Sequence, residues 1–158
     1  MHAAVTVPMS APAQAIWDLV SDVRNTGRFS PETFEAEWLD GATGPALGAK
    51  FRGHVRRNEI GPVYWTTCRV TACEPGREFG FEVLIGDRPV NNWHYRFDPV
   101  DGGTDVTESF RMNEGVFTSL FGMLGGQLRR RRNERDMRTT LERIKAVVEA
   151  SEENPPVS

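Results

Sequence analysis

LGAKFRGHVRR (47–57), VYWTTCRVTAC (63–73), REFGFEVLI (77–85), VNNWHYRFD (90–98) and TDVTESFRM (104–112) follow one another along the chain with short breaks between them. Each run is rich in β-branched and aromatic residues with a two-residue rhythm, the mark of a strand with one buried face. The breaks carry turn chemistry: Asn58 to Pro62, Pro75-Gly76, Gly86 to Pro89 and Asp101 to Gly103. Glycine supplies positive φ and proline a fixed φ, which tight reversals need. A helical stretch, Gly115 to Ala150, follows directly. There Met137, Leu141, Ile144 and Val148 recur at helical spacing and form an apolar stripe. A meander followed by one long amphipathic helix is a sheet whose apolar face the helix covers.

At 158 residues the chain is long enough for one domain with its own core. Residues 1–150 read as that domain, and 151–158, with Pro155-Pro156 and two glutamates, as a disordered tail. The net charge of −3 gives no electrostatic reason to expect nucleic acid. No apolar run approaches spanning length, so stable membrane insertion is not expected. Cys68 and Cys73, five apart in one strand, fall on opposite faces by simple alternation and cannot pair there. This is the pattern of a reduced, cytoplasmic protein. No Cys/His spacing fits zinc, no glycine-rich phosphate loop opens a helix, and no cofactor or metal is expected. His2, His54 and His94 fall at an end and on outward strand faces, away from any nucleophile motif.

The N-terminal part supplies two more strands. Residues 2–8 read as the first, and Phe34 to Leu39 as the second, with Phe34, Ala36 and Trp38 on one face. Between them, a helix is expected over Ala13–Val20, with Ser10 or Ala11 near its cap and Pro12 in its first turn, and Asp22 caps a short helical turn through Arg28. The expected order is strand, two short helices, six strands and a long helix. The lone first strand rejoins the sheet most simply at the free edge of the last one. The fold class is α+β: a curved seven-stranded antiparallel sheet wrapped around a long C-terminal helix.

Alternation assigns the inner face. Leu47, Ala49, Phe51, Gly53 and Val55 point inward from the first run, Phe79, Phe81, Val83 and Ile85 from the third, and Trp93, Tyr95 and Phe97 from the fourth. In the second run Tyr64, Cys68, Val70 and Ala72 share a face and Trp65 takes the other, unless a bulge near Thr66 brings both aromatics in. In the last run Thr104, Val106, Glu108, Phe110 and Met112 share a face, which sets a carboxylate in phase with the core. A buried carboxylate is costly unless hydrogen-bonded, paired or protonated. Glu108 is thus a structural partner of a neighbouring arginine, a phase slip at the strand end, or a polar anchor within a cavity.

Traced backwards, the helix stripe reaches Asn133, Arg129 or Arg130, Gly126 and Gly122, small and polar where a filled core would need leucine. Asn133 adds a donor and an acceptor there. Residues 113–126 form a lid-like segment, and its apolar 117–124 portion is the one candidate patch for a protein partner. The run Arg129 to Arg132, with Arg135 and Arg138, is a solvated helix face paired with Glu134 and Asp136, or a contact to phosphate or anionic lipid. The expected cavity residues are Phe51, Val55, Tyr64, Phe79, Phe81, Trp93, Tyr95, Phe110, Glu108, Asn133 and Met137.

Five motifs, Ile16 to Asp22, Ser30-Pro31-Glu32, Glu37-Trp38, Pro75 to Phe79 and Gly103 to Glu108, make residues 3–150 resemble the actinobacterial polyketide cyclase/dehydrase group. That group belongs to the START-like superfamily with the helix-grip fold of the birch-pollen allergen. The resemblance implies a cavity between sheet and terminal helix for a hydrophobic small molecule, such as a polyketide, lipid or isoprenoid. The alternatives are a cyclase, aromatase or dehydrase using the same cavity, with Glu108 as its candidate catalytic group, and a protein-interaction module. Neither the ligand nor the oligomeric state is legible in the sequence.

Overall fold

The computed structural model describes residues 2–56, 61–113 and 122–153, with side chains from residue 130 onward in the last of these. Seven antiparallel strands form one sheet: β1 (His2–Met9), β2 (Thr33–Trp38), β3 (Lys50–Arg56), β4 (Val63–Glu74), β5 (Glu78–Ile85), β6 (Arg88–Val100) and β7 (Gly103–Met112). Their order across the sheet is β1-β7-β6-β5-β4-β3-β2. The meander from β2 to β7 is unbroken, and β1 closes against its last strand, with Val5 opposite Glu108. Gly76 and Gly102, at φ +73° and +81°, make the reversals into β5 and β7 in a conformation other residues rarely adopt. Helices α1 (Ala13–Ser21) and α2 (Gly122–Glu153) and a 3₁₀ turn (Val23–Arg28) complete the fold. This is the helix-grip arrangement.

Helix α2 lies chiefly over β1 and also touches β7 and α1. Met137, Leu141, Ile144 and Val148 are all buried beneath it. The expected stripe is therefore the packing face. α2 runs three residues into the stretch expected to be a tail; 154–158 lie outside the described residues. So do 114–121, which hold most of the expected lid and the expected start of the helix. Ile16, Trp17 and Val20 of α1 enter the same core, and the Trp17 indole N–H donates to the Glu78 carbonyl at 2.8 Å. Pro12 occupies the N-cap without a side-chain bond, where Ser10 or Ala11 was expected. Ser10 instead donates its backbone N–H to Glu149 of α2 at 3.2 Å. Asp22 caps the 3₁₀ turn as expected, accepting from Arg24 N–H.

Bulges correct the strand phases in two places, and a strand end corrects a third. Between Thr33 and Glu35 the register of β2 shifts, so Phe34 leaves the inner face and sits 44 % exposed against His54. In β4 the irregularity falls between Val70 and Ala72, not near Thr66. Trp65 therefore stays outside, stacked on His54 at 4.1 Å with Arg52 over its ring. Beyond the bulge Cys73 replaces Ala72 as the inward residue and packs on the core, so the two cysteines share a face. A third shift skips Val90 of β6 and leaves the alternation of β5 intact; Ile85, expected inward, lies at the end of β5 and is exposed, whereas Leu84 is buried. Leu47, expected inward, precedes β3 and is exposed. An extra residue reverses every inward assignment beyond it, because the side-chain period is two.

Candidate functional site

Strand register arranges the inner face in rows. One row runs Trp38, Phe51, Cys68, Val83, Asn91 and Met112. The next runs Val70, Phe81, Trp93, Phe110 and Ala3. The third holds Cys73, Phe79, Tyr95, Glu108 and Val5. A single carboxylate thus stands in a row otherwise made of apolar and aromatic groups.

The rows and α2 enclose a cavity of about 180 Å³. That exceeds the roughly 150 Å³ of an apolar protein cavity that admits benzene. Of the expected residues, Phe51, Val55, Tyr64, Phe79, Phe81, Trp93, Tyr95, Glu108, Asn133 and Met137 line it. Phe110 does not reach the wall; it packs behind Trp93, with ring centres 4.6 Å apart. Arg130, one candidate for the extended stripe, instead pairs with Glu134 at 3.1 Å on the exposed side of α2. Tyr64 and Pro31 are the exposed members of the lining and mark its mouth.

Sequence reasoning missed Asn91, Asp136 and Thr140, which also face the cavity. Asp136 and Thr140 sit four apart beside the line from Asn133 to Met137, so a wider helical stripe would have included them. The 3₁₀ turn and the strand after it supply Val23, Thr26, Phe29 and Thr33, which no periodicity in so short a segment could assign.

Glu108 is 4 % exposed and accepts one hydrogen bond, from the Tyr95 hydroxyl at 3.0 Å. Its other oxygen, Oε2, is buried and has no partner among the described residues. Burial raises its pKa to about 8; the Tyr95 bond opposes that rise, and the charge of Asp136 adds to it. Tyr95, also buried, is pushed well above the ordinary phenol range by burial and by Glu108. At neutral pH the pair is therefore a protonated carboxyl beside a neutral phenol. Among the described residues no arginine partners Glu108, and Tyr95 stands in that place. Burial pushes the Cys68 thiol up to about 12, which leaves it unreactive on the cavity wall. Among the described residues no cluster of His, Cys, Asp and Glu is placed to hold a metal, and no helix is long and apolar enough to cross a membrane.

The family model for polyketide cyclase / dehydrase and lipid transport matches residues 1–149. The chain belongs to this family. Among solved structures it is similar to the Polyketide_cyc-like protein Cgl2372 of Corynebacterium glutamicum, at 29 % identity and TM-score 0.67 over 99 % of this chain and 96 % of that one. The Zhui aromatase/cyclase of a Streptomyces species matches at 23 % identity and TM-score 0.67, over 96 % of this chain and 94 % of that one. The di-domain ARO/CYC BexL of the BE-7585A biosynthetic pathway matches at 21 % identity and TM-score 0.70, with 98 % of this chain covering 48 % of that chain. The last two likenesses concern the fold alone. No curated protein matches the chain.

Proposed function

We propose that the protein binds a hydrophobic small molecule, a polyketide, lipid or isoprenoid-like compound, in the cavity between sheet and α2. The carrying observation is an aromatic-walled cavity of about 180 Å³ with one buried carboxyl group whose second oxygen has no partner among the described residues. Ligand sites combine apolar walls with a few placed polar groups in this way. Phe51, Phe81 and Trp93 supply stacking surface, and Glu108 with Tyr95 supplies orientation. Membership in a family that spans cyclases and lipid transport supports the reading, as does the absence among the described residues of a membrane-crossing helix, which fits a cytoplasmic carrier.

The test is direct. Native mass spectrometry of the protein as purified should show a retained apolar ligand, and the neutral dye Nile red should bind with a fluorescence rise. Phe81→Glu should abolish that rise, because it sets a charge in the middle row. Intact dye binding in that variant would remove the cavity assignment.

A second reading, a cyclase, aromatase or dehydrase, is favoured by one observation. A carboxyl with a pKa near 8 is poised to give and take protons at working pH. In that reading the cavity holds a reactive chain in a folded shape and Glu108 moves a proton at the carbon or oxygen beside it. Turnover of a poly-β-keto chain that Glu108→Gln removes, with dye binding retained, would establish it. The patch for a protein partner, at 117–124, lies outside the residues whose side chains are described.

A further inference from the structure

The strand ends divide the molecule into two poles. The β3–β4 and β5–β6 hairpins, the start of β2 and the end of β7 meet at one, beside Tyr64 and Pro31 at the cavity mouth. Helix α2 descends from that pole. Ser10, just past the far end of β1, holds Glu149, about 28 Å along the helix from Arg130. Among the described residues seven large apolar or aromatic side chains are exposed, and five of them, Phe34, Val63, Tyr64, Trp65 and Ile85, stand at the mouth. They form one arc. Phe34 lies against His54, Trp65 stacks on His54, and Ile85 follows Leu84, which pairs with Thr67 two residues beyond Trp65. Leu47 and Val100, the other two, are at the far pole.

Charge is polarised along the same axis. Around the mouth Arg28, Arg56, Arg88, Arg111, Arg130 and Arg131 are all exposed, against Glu32, Glu35, Asp87 and Glu134. At the far pole Asp40, Asp98, Asp101, Glu149, Glu152 and Glu153 outnumber Arg77, Arg96, Arg143 and Lys145. The whole chain carries −3, so the basic rim runs against its net charge. Arg52 and Arg56 lie over the rings of Trp65 and Phe34, which keeps cations and aromatic faces together. Aromatic side chains beside arginines suit the boundary between lipid head groups and water. There the rings enter the interface and the guanidinium groups meet phosphate.

We infer that the mouth end docks onto an anionic membrane surface, with Phe34, Trp65 and Ile85 in the interface and the arginine rim on the acidic head groups. The apolar side chains project from the start of β2, the start of β4 and the end of β5, around an opening rather than on one flat face. A rigid protein partner would have to match each of these projections, whereas a soft lipid surface meets them all. The attachment is peripheral and reversible, because buried apolar area and ionic attraction act together without a spanning segment. Docked in this way, the mouth faces the bilayer, and a sparingly soluble molecule passes between membrane and cavity without crossing water. That last step rests on the small-molecule reading; the docking itself does not.

The experiment uses the full chain and sedimentation with vesicles of phosphatidylcholine, alone or in equal parts with phosphatidylglycerol. Acidic vesicles should bind the protein at least about tenfold more tightly than neutral ones, and high salt should remove the difference. Arg88→Gln and Arg131→Gln should each weaken binding about fivefold, and Ile85→Ser at least as much. Arg77→Gln at the far pole should change nothing. These positions are exposed, and an unchanged melting temperature shows that each variant is folded. Brominated lipid should quench tryptophan emission, and Trp65→Phe, which keeps a ring at the rim, should still bind but lose part of that quenching. Equal binding to neutral and acidic vesicles, binding to neither, or an Arg77→Gln loss as large as that of Arg88→Gln would each overturn the inference. A chain that ignores vesicles but dimerises through a contact that Ile85→Ser breaks would assign the rim to a second copy instead. Nile red binding without vesicles tests the cavity on its own, so the two readings fail separately.

Discussion

The two faces of the sheet treat glutamate in opposite ways. On the outer face each of four glutamates lies beside a basic side chain. Glu35 meets His54 at 2.7 Å, Glu37 meets Arg52, Glu82 meets Arg69 Nε at 2.8 Å, and Glu78 meets His94 at 3.1 Å. On the inner face, among the described residues, Glu108 meets only the Tyr95 hydroxyl, and its second oxygen has no partner. Water screens the outer pairs, which add little. Burial takes the charge from Glu108 and turns an ordinary side chain into a group that titrates near 8. Strand alternation, one residue out of phase, separates an exposed, paired glutamate from a buried one.

The largest contrast to test is packing. Phe79 is 1 % exposed in the Glu108 row, whereas Trp65 on the outer face is 41 % exposed. Phe79→Ala should lower stability by about 3–5 kcal/mol, through lost burial and a residual void. Trp65→Ala gives up its stacking on His54 and Arg52 and should lose about 1 kcal/mol. Urea denaturation of both variants measures the difference. Equal losses would mean that the inner rows are not the core.

Next comes the charge of Glu108. Its folded pKa, about 8, lies above the ordinary carboxyl value of 4.5. Below 4.5 both folded and unfolded forms are protonated. As pH rises from there towards 8 only the unfolded chain ionises, so the folded state loses relative stability, and above 8 the loss is complete. The size is a few kcal/mol. Glu108→Gln keeps the shape and the acceptor for Tyr95 but cannot ionise. Its stability should match the parent near pH 5 and exceed it at pH 8. A parent whose melting temperature is the same at pH 5 and pH 8 in the background of this variant's curve would place Glu108 in water. Tyr95→Phe sharpens the same comparison with a smaller effect, about 1–2 kcal/mol for one buried bond. Because that bond opposes the upward shift, its loss should move the Glu108 transition to higher pH.

How far the sequence could be read follows from where alternation holds. Phe51, Phe79, Phe81, Trp93, Tyr95 and Glu108 lie on stretches of strand without an extra residue, and their inward direction was legible from period two alone. Phe34, and Ala72 with Cys73, lie at register shifts, and Ile85 lies at the end of β5. A bulge is set by how two distant strands pair, so no local pattern announces it. The chemistry of Glu108 was half legible. Its phase showed burial, but only the fold brings Tyr95 opposite and Asp136 across from another element. Asn91 was the hardest to find. A single polar residue among polar neighbours, Asn91-Asn92, shows its inward place only once the register of β6 is known.

The smallest expected effect is on the outer face, and it completes the contrast. Arg69 and Glu82 sit opposite each other on β4 and β5, and the guanidinium Nε donates to Glu82 Oε1 at 2.8 Å. The arginine side chain is 36 % exposed and the glutamate 16 %, so water still screens part of the pair. Cross-strand ion pairs in such settings contribute about 0.2–1 kcal/mol. Glu82→Gln should therefore lower stability by no more than about 1 kcal/mol at pH 7. The loss should shrink in 1 M salt, where the screening length falls to about 3 Å. Unlike Glu108→Gln, it should bring no gain in stability, because it removes an attractive pair and relieves no buried group. A stability gain at pH 8 in Glu82→Gln would show that the outer face also strips charge from its acids, and the division between the two faces would fail.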